Sequence, residues 1–384
     1  MPLSAPPSRA LRRGGLVALG VALAALAARA TVRPGVDFGV FHAAGARFRA
    51  GLDLYLPPAQ FPYRYAPAVA ALFAPFATLP FPLARAVWAA VNAAIVLGVA
   101  IALDRRLGSR APLAVPLSWA LLAQPLAQEL SYGQVDLLVL ALALTAFELD
   151  RRGHEVTGGA LVAAAAALKV APAVLAVDWA VRRRWRPFAG AAVAGAVLAA
   201  VTAARYGVPG ALEQHAHWYA TQSSDVQYMV DALRNQSLWA MSRTLGLGNA
   251  GGALASLGLI ALAASARGRR RQLVLLAAIP LVSGYGWPQL FILAVPLLAE
   301  TIAAGGATAW IAACATGAVS LASYDVAGPR VEDWVYGHRV AGVLLTIAVV
   351  CGRFAPVLGE ARAPSSSPGA PATAATASGA RRGS

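Results

Sequence analysis

The sequence predicts an all-α, polytopic integral membrane protein, and its composition is the first reason. Of its 384 residues, 58% are hydrophobic and only 13% are charged, whereas soluble domains carry about 25% charged residues. So few charges cannot cover a water-facing surface, but they suit a surface that faces lipid. The apolar segments are therefore interpreted as helices that cross or enter a membrane.

The second observation is a series of apolar runs along most of the chain. They lie near 16–30, 66–79, 86–103, 111–127, 134–149, 157–180, 188–204, 237–247, 250–266, 272–282, 286–304, 306–323 and 338–352. A straight span needs about 20 residues, so the shorter runs are expected to be tilted, re-entrant or paired into broken helices. We predict about 10–13 transmembrane or re-entrant helices. Pro80 and Pro82 interrupt the pattern, so the sequence leaves open whether the number of membrane crossings is odd or even.

The first apolar run also resembles a cleavable secretory signal. Arg9, Arg12 and Arg13 precede it, and Ala28-Arg29-Ala30 follows it as a signal cleavage site would. We favour an uncleaved first transmembrane helix, because the many later spans already set a membrane context.

The third observation is how the net charge of +15 is distributed. The arginines form short runs between apolar segments: Arg12-Arg13, Arg105-Arg106, Arg151-Arg152, Arg182–Arg184 and Arg269–Arg271. A nucleic-acid partner needs such charges on one face, whereas this spacing is typical of cytoplasmic loops. We predict a multi-pass protein of the cell membrane with a cytoplasmic N-terminus and no nucleic-acid partner.

This orientation divides the chain into one membrane domain and a tail. Residues 1–358 form the membrane domain, and its two long polar-aromatic segments, 31–65 and 205–236, are predicted to be external loops. The second loop contains Trp218, Tyr219 and Tyr228. The tail, 359–384, is rich in Ala, Pro, Ser and Gly and is predicted to be disordered and cytoplasmic.

Two charged residues stand out as candidates for chemistry. Asp37 follows the first helix among apolar neighbours, where a carboxylate can have a raised pKa and act as a general base; a solvated loop aspartate is the alternative. Lys169 lies inside an apolar run, where a charge costs about 2.5–3.5 kcal/mol on insertion scales and is functional by default. Pro172 should end that helix, although Lys169 can also snorkel to an interface.

Other polar residues lie at the edges of apolar runs. Arg64 suits bidentate phosphate contact or lipid headgroup contact, and Tyr65 fits an aromatic belt. Gln134 and Asp136 can cap a helix or face an internal cavity. Asn235 opens a later run in the same way, within a nonspecific glycosylation sequon.

Several classes of site are not expected. Cys314 and Cys351 each lie in an apolar run, as small buried residues do. His215 and His217 have no cluster of further ligands, so no metal site is predicted. The sequence has no P-loop, no dinucleotide fingerprint and no serine hydrolase elbow, and no cofactor is expected.

Taken in order, these segments resemble glycosyltransferase family 87, a group of polytopic, GT-C-type mannosyltransferases. The resemblance covers most of residues 15–300. It rests on Val36-Asp37 with Phe41, Gly51 with Tyr55, Tyr63–Pro67 with Pro75 and Leu79-Pro80, Gly133–Asp136, Lys169 with Pro172, the basic loop 182–186, Asn235–Leu238 with Arg243, and Trp287.

The resemblance implies a reaction and roles. A sugar, which the family resemblance implies is mannose, would pass from a polyprenyl-phosphate donor to a hydroxyl of a lipid or glycan acceptor at the outer membrane face. Asp37 matches the family's catalytic base. Lys169, Arg64 and Arg243 would stabilise the departing lipid phosphate, and the remaining candidates for substrate binding are Tyr65, Gln134, Asn235, Trp287 and Gln289.

Two departures leave alternatives open. Family members usually have a histidine where this chain has Gln289, which cannot carry charge near neutral pH, and more often Asn where it has Asp136. A transporter or flippase would use Lys169 and Asp136 as an intramembrane charge pair. A catalytically inactive assembly subunit is the third reading, supported mainly by Gln289.

Overall fold

The computed structural model describes residues 9–55, 61–224 and 230–356, so the predicted tail and Tyr228 lie outside the described residues. Within these ranges the secondary structure is entirely helical, and the predicted all-α class is confirmed. The α-helices are α1 (Arg9–Thr31), α2 (Val36–Ala50), α3 (Val69–Phe73), α4 (Phe81–Leu107), α5 (Ala114–Leu121), α6 (Ala123–Tyr132), α7 (Asp136–Arg151), α8 (Glu155–Leu168), α9 (Ala176–Val181), α10 (Arg186–Ser224), α11 (Leu238–Thr244), α12 (Gly248–Ala264), α13 (Gly268–Val282), α14 (Val295–Ala304), α15 (Gly306–Leu321), α16 (Tyr324–Ala327), α17 (Pro329–Gly337) and α18 (Val340–Phe354). Three 3-10 helices complete the described fold: Phe76–Thr78, Ala171–Leu175 and Pro288–Ala294.

Membrane-spanning length is divided between long helices and broken ones. Among the described residues, α1, α4 and α10 are long and apolar enough to cross a membrane alone. Two further spans are possible as bent pairs, α6 with α7 at 113° and α17 with α18 at 64°. Shorter apolar helices make up the rest, as the short apolar runs predicted, and the chain is polytopic.

Prolines set the start of α4 and the end of α8. Pro80 caps α4 and Pro82 lies in its first turn, where the missing N–H of proline costs nothing. These prolines therefore start a single 27-residue helix rather than divide one. Helix α8 ends at Leu168, Lys169 is extended, and Pro172 lies at the start of a 3-10 helix, as the sequence predicted.

The segment from 205 to 236 differs from the predicted loop, because α10 continues through it to Ser224. The helix breaks at Gly207, whose φ of 71° and ψ of 169° are not helical, and resumes with Pro209. Proline is favoured in a first helical turn, so Pro209 suits the start of a second helical limb. The polar composition of residues 205–236 had suggested a loop instead. The segment from 31 to 65 likewise contains α2. Their location outside the membrane stays a prediction.

Ion pairs join the helix ends at one end of the bundle, which we call the basic end. They are Arg12–Asp104 (2.5 Å), Arg106–Glu300 (3.3 Å), Arg269–Glu300 (2.8 Å), Arg271–Asp178 (3.3 Å), Arg182–Asp178 (2.5 Å), Arg182–Asp150 (2.6 Å) and Arg184–Glu155 (3.2 Å). The predicted cytoplasmic loops thus share one end, and which side of the membrane it faces stays a prediction.

The helix directions bring the candidate site to the opposite end. Helix α7 has Asp150 at the basic end and begins at Asp136, about 21 Å away along the helix at 1.5 Å per residue. Helix α8 begins at Glu155 and ends just before Lys169. Helix α1 starts at the basic end and ends shortly before Asp37. Three separate helices therefore deliver charged residues to one end of the bundle.

The crossing of α8 and α10 is unusually close, because two glycines meet backbone atoms. A Cβ at Gly159 would overlap the carbonyl oxygen of Pro187, and one at Gly190 would overlap that of Val156. Small residues allow such approaches between membrane helices. The contact fixes α8, and with it Lys169, which follows α8 directly.

We expect Gly159→Ala to destabilise the protein by at least about 1–3 kcal/mol, the usual cost of overpacking. The new methyl group cannot avoid the backbone of the partner helix. Gly195→Ala is the matched control, since it lies on α10 with no atom within 4 Å of its Cβ position. Thermal unfolding of both variants in detergent measures the difference, and equal midpoints would contradict the close crossing.

Candidate active site

A turn of left-handed backbone starts the helix that carries Asp37. Gly35 has φ 58° and caps α2, and Asp37 lies in the first turn of that helix. A carboxylate is stabilised there by the helix dipole. Its side chain is partly exposed, so Asp37 is accessible while the ring of Phe38 beside it is fully buried.

Side chains from two other segments act on Asp37. Gln134 donates a hydrogen bond to the Asp37 carboxylate, and Lys169 and Asp136 act on it electrostatically. Burial raises the pKa of Asp37, and the Gln134 hydrogen bond and the Lys169 charge oppose that rise. A carboxylate with a raised pKa is suited to take a proton near neutral pH.

Lys169 forms an ion pair with Asp136. Its Nζ lies 2.6 Å from Asp136 Oδ1 and 2.8 Å from Oδ2. The Asp136 side chain is fully buried, whereas 18% of the Lys169 side chain is exposed. Lys169 is therefore paired with a buried carboxylate while part of its own side chain remains exposed.

Tyr65 closes another side of the site. Its hydroxyl donates to Gln134 Oε1 at 3.3 Å, its carbonyl accepts from the Tyr55 hydroxyl at 2.6 Å, and its ring packs 4.6 Å from that of Phe41. Burial raises the pKa of the Tyr65 phenol, so it stays a donor. Gln134 thus connects Tyr65 with Asp37. We call Asp37, Tyr65, Gln134, Asp136 and Lys169 the Asp37 cluster.

The second limb of α10 holds the loop that carries Arg64 and Tyr65. Trp218 Nε1 donates to the Arg64 carbonyl at 3.1 Å, and the Gln222 side chain donates to the same oxygen. Gln214, on the same limb of α10, accepts a hydrogen bond from the Leu54 amide at 3.0 Å. The Arg64 side chain, beside Tyr65 in sequence, is partly buried.

Asn235 and Trp287 belong to a neighbouring pair of loops. Asn235 donates to the Gly284 carbonyl at 2.7 Å and accepts from the amides of Ser237 and Gly286 at 3.0 and 2.9 Å. These bonds join the start of α11 to the loop before the partly buried Trp287. These three hydrogen bonds of Asn235 are all to backbone atoms of the loop pair.

Gln289 lies in the 3-10 helix that follows Trp287 and is only 6% exposed. That helix packs against α6 and α7, the two helices that flank the turn carrying Gln134. The family's usual histidine would therefore lie deep in the protein next to these helices.

Arg243 lies apart from the Asp37 cluster. It pairs with Asp231 through two contacts of 2.6 and 2.8 Å. A cavity of about 360 Å³ opens beside it, and among the described residues its lining includes Arg339 but no member of the Asp37 cluster. The structure therefore brings Asp37, Tyr65, Gln134 and Lys169 together and gives Arg243 a different surrounding.

Two buried charged residues near the cluster escaped the sequence analysis. Glu129 on α6 is fully buried, accepts from the Leu137 amide at 3.1 Å, and interacts electrostatically with Asp136. Arg85 on α4 is 1% exposed and faces Asp37 electrostatically. Charges at the edges of apolar runs resemble interface residues in the sequence. In the structure Glu129 lies just before the 113° bend between α6 and α7, and Arg85 packs against the residues of that bend.

The cluster combines a general base with a cation at an accessible end of a helical membrane protein. A base can take a proton from a hydroxyl, and an ammonium can stabilise a departing anion. Such an arrangement suits the displacement of a charged leaving group by a hydroxyl.

Comparison with known proteins identifies relatives over much of the chain. The model of glycosyltransferase family 87 matches residues 63–285, more than half of the 384-residue chain. The matched range contains Arg64, Tyr65, Gln134 and Lys169. Asp37 and Trp287 lie outside it.

Two curated relatives are polyprenol-phosphate-mannose-dependent alpha-(1-2)-phosphatidylinositol pentamannoside mannosyltransferases. The protein from Mycolicibacterium smegmatis is 30% identical over 158 residues, which are 40% of this chain and 37% of the relative. The protein from Mycobacterium tuberculosis is 30% identical over 126 residues, 32% of this chain and 28% of the relative. The matched region thus spans about a third of each relative's length.

No solved structure matches the chain, so its GT-C-type arrangement stays a prediction. The family match covers most of the segments on which the resemblance was based and confirms it. The chain belongs to glycosyltransferase family 87.

Proposed function

We propose that the protein is a membrane hexosyltransferase that moves mannose from a polyprenyl-phosphate donor to a hydroxyl acceptor. The observation that carries this proposal is a partly exposed carboxylate, Asp37, within electrostatic range of the ammonium of Lys169. The family and the names of the two curated relatives support the donor. A lipid-phosphate sugar also reaches such a site from the bilayer without a nucleotide-binding fold.

The proposed step is a single displacement. The acceptor oxygen attacks the anomeric carbon, the bond from that carbon to the phosphate oxygen breaks, and polyprenyl phosphate leaves. Asp37 takes the acceptor's hydroxyl proton. Lys169, with Arg64 as a second candidate, stabilises the charge on the departing phosphate. Gln134 and Tyr65 orient Asp37 through their shared hydrogen bonds.

The outer face of the membrane is the proposed location of this chemistry. The arginine runs share the basic end, and the Asp37 cluster lies at the opposite end. If arginine-rich loops stay in the cytoplasm, the cluster faces outward. The acceptor is proposed to be a lipid, since both curated relatives have a lipid-linked mannoside in their names.

A direct transfer assay tests the proposal. The full chain in nanodiscs receives labelled polyprenyl-phosphate-mannose and a series of phosphatidylinositol mannosides, and labelled glycolipid products are separated. We expect mannose transfer to at least one acceptor, and none from a nucleotide-linked mannose. Transfer from the nucleotide sugar alone would contradict the proposed donor.

The Lys169–Asp136 ion pair is also the feature that a transporter or flippase requires. To test this second candidate function, the same protein is reconstituted in sealed vesicles and the movement of labelled lipid between leaflets is measured. A flippase moves labelled lipid between leaflets and forms no new glycosidic bond. Transfer without such movement excludes it, and transfer also excludes the inactive subunit that Gln289 suggested.

A further inference from the structure

Arg85 is a buried cation that the proposed chemistry does not yet use. It lies on α4, where only 1% of it is exposed. Its Nη2 donates to the carbonyls of Leu130 and Ser131 at 2.6 and 2.7 Å. Among the described residues its Nε and Nη1 have no hydrogen-bond partner. Leaving such donors unpaired in the interior is costly, so the position of this guanidinium needs a reason.

The guanidinium occupies space that two glycines leave open. A Cβ at Gly35 would overlap Arg85 Nε, and a Cβ at Gly133 would lie 2.6 Å from Nη1. Both glycines have positive φ, 58° and 72°, which also favours glycine. Any side chain at either position would displace the guanidinium.

These two glycines begin the segments that present the Asp37 cluster. Gly35 precedes α2 and lies two residues before Asp37. Gly133 ends α6 with left-handed backbone and immediately precedes Gln134. A single side chain therefore packs against the turn before the proposed base and the turn before its hydrogen-bond partner.

Helix α4 also forms hydrogen bonds with the turn at Gly133, which precedes Gln134. The Arg85 bonds to Leu130 and Ser131 satisfy carbonyls in the last turn of α6, where a cation is favoured by the helix dipole. One turn later on α4, Trp88 Nε1 donates to the Gly133 carbonyl at 2.9 Å. The first two turns of α4 thus fix the bend that aims Gln134.

We propose that Arg85 is the positioning residue of this active site, fixing the turns that hold Asp37 and Gln134 and presenting its positive charge to the Asp37 carboxylate. This inference rests on the proposed function. Its test therefore has one readout that needs no transfer activity.

Titratable groups from several elements lie around Asp37. Arg85 on α4, Asp136 on α7, Lys169 after α8 and Tyr65 in its loop interact with it electrostatically, and Glu129 on α6 interacts with Asp136. Of the two cations acting on Asp37, Lys169 has a carboxylate partner, Asp136, at 2.6 Å. The guanidinium of Arg85 contacts two backbone carbonyls and lies 5.9 Å from the centre of the Phe38 ring, and no described carboxylate lies within ion-pair distance of it.

Carbodiimide labelling reports the protonation of Asp37 without any substrate. The reagent adds to a protonated carboxyl group, and peptide mass spectrometry resolves the Asp37 adduct from those of Asp136 and Glu129. In Arg85→Gln we expect the labelling midpoint to rise by up to about one pH unit, because removing an opposite charge disfavours the ionised carboxylate. Asp37→Asn, which removes the adduct, is the control for assignment.

Transfer kinetics separate positioning from substrate contact. We expect Arg85→Gln and Arg85→Lys to lower kcat about 100-fold, as a displaced reacting group does, with an unchanged KM for the donor. Lysine keeps the charge but cannot bridge both turns, so Arg85→Lys should retain the wild-type labelling midpoint.

The outcomes are distinct. An unchanged midpoint in Arg85→Gln overturns the electrostatic role, and wild-type kcat in Arg85→Lys overturns the positioning role, even where Arg85→Gln does not fold. Absence of transfer in the wild type would overturn the proposed function, whereas the labelling shift would still test Arg85.

Discussion

Asp37→Asn is expected to lower kcat for mannose transfer by about 10²–10⁴-fold, the usual contribution of a general base. The amide has the size and shape of the carboxylate but cannot take a proton. Asp37 lies at the edge of its cluster and is partly exposed, so the variant should keep the wild-type unfolding temperature and bind the donor normally.

Asp325→Asn is the matched control for that experiment. Asp325 pairs with Arg29 at 3.2 Å near the end of α1, and its side chain is 64% exposed. Exposed pairs contribute about 0–1 kcal/mol, so loss of this carboxylate should leave both transfer and stability near wild type. Equal activity of both variants would remove Asp37 from the mechanism.

The pH dependence of transfer follows from the same residue. Only the ionised carboxylate of Asp37 can act as a base, and burial raises its pKa above the ordinary value for aspartate. Activity should therefore increase with pH through this raised pKa, and the acidic limb should lie above about pH 4. A kcat/KM profile that stays flat down to that pH would contradict the assignment.

The second large effect concerns Lys169 and Asp136. Lys169→Met leaves the fully buried Asp136 without its ion-pair partner, which should destabilise the protein by about 3–5 kcal/mol. It also removes the proposed cation for the departing phosphate, so transfer should be lost. Thermal unfolding and kcat are measured on the same preparation.

The double variant separates the two roles of Lys169. Lys169→Met with Asp136→Asn removes both charges, so we expect most of the stability to return. Transfer should not return, because the phosphate still lacks its cation. If the double variant regains transfer, the pair is structural and another group stabilises the leaving phosphate.

The sequence predicted the parts of the site that local rules control. Lys169 inside an apolar run was costly enough to indicate function, and Pro172 predicted the end of α8. The order of the motifs brought Asp37, Tyr65, Gln134 and Lys169 into one hypothesis, and in the structure they are neighbours.

The remaining features depend on tertiary structure. Arg85 and Glu129 lie at the edges of apolar runs, where charges normally reach water. The bend between α6 and α7 encloses both, and the turn at Gly35 also covers Arg85. Arg243 has the positive charge expected of a phosphate-binding residue, but it forms an ion pair with Asp231 away from the Asp37 cluster. The second limb of α10 has the composition of a loop, and its contacts to the Arg64 loop stabilise it as a helix.

Where the phosphate of the lipid donor binds is the central question. A cryo-EM structure of the full chain with bound polyprenyl phosphate answers it most directly. We predict that the phosphate lies at hydrogen-bond distance from Lys169. Asp37 should be the carboxylate nearest to the position that the donor's mannose would occupy. Phosphate bound instead in the cavity between Arg243 and Arg339, with an empty Asp37 cluster, would contradict this account.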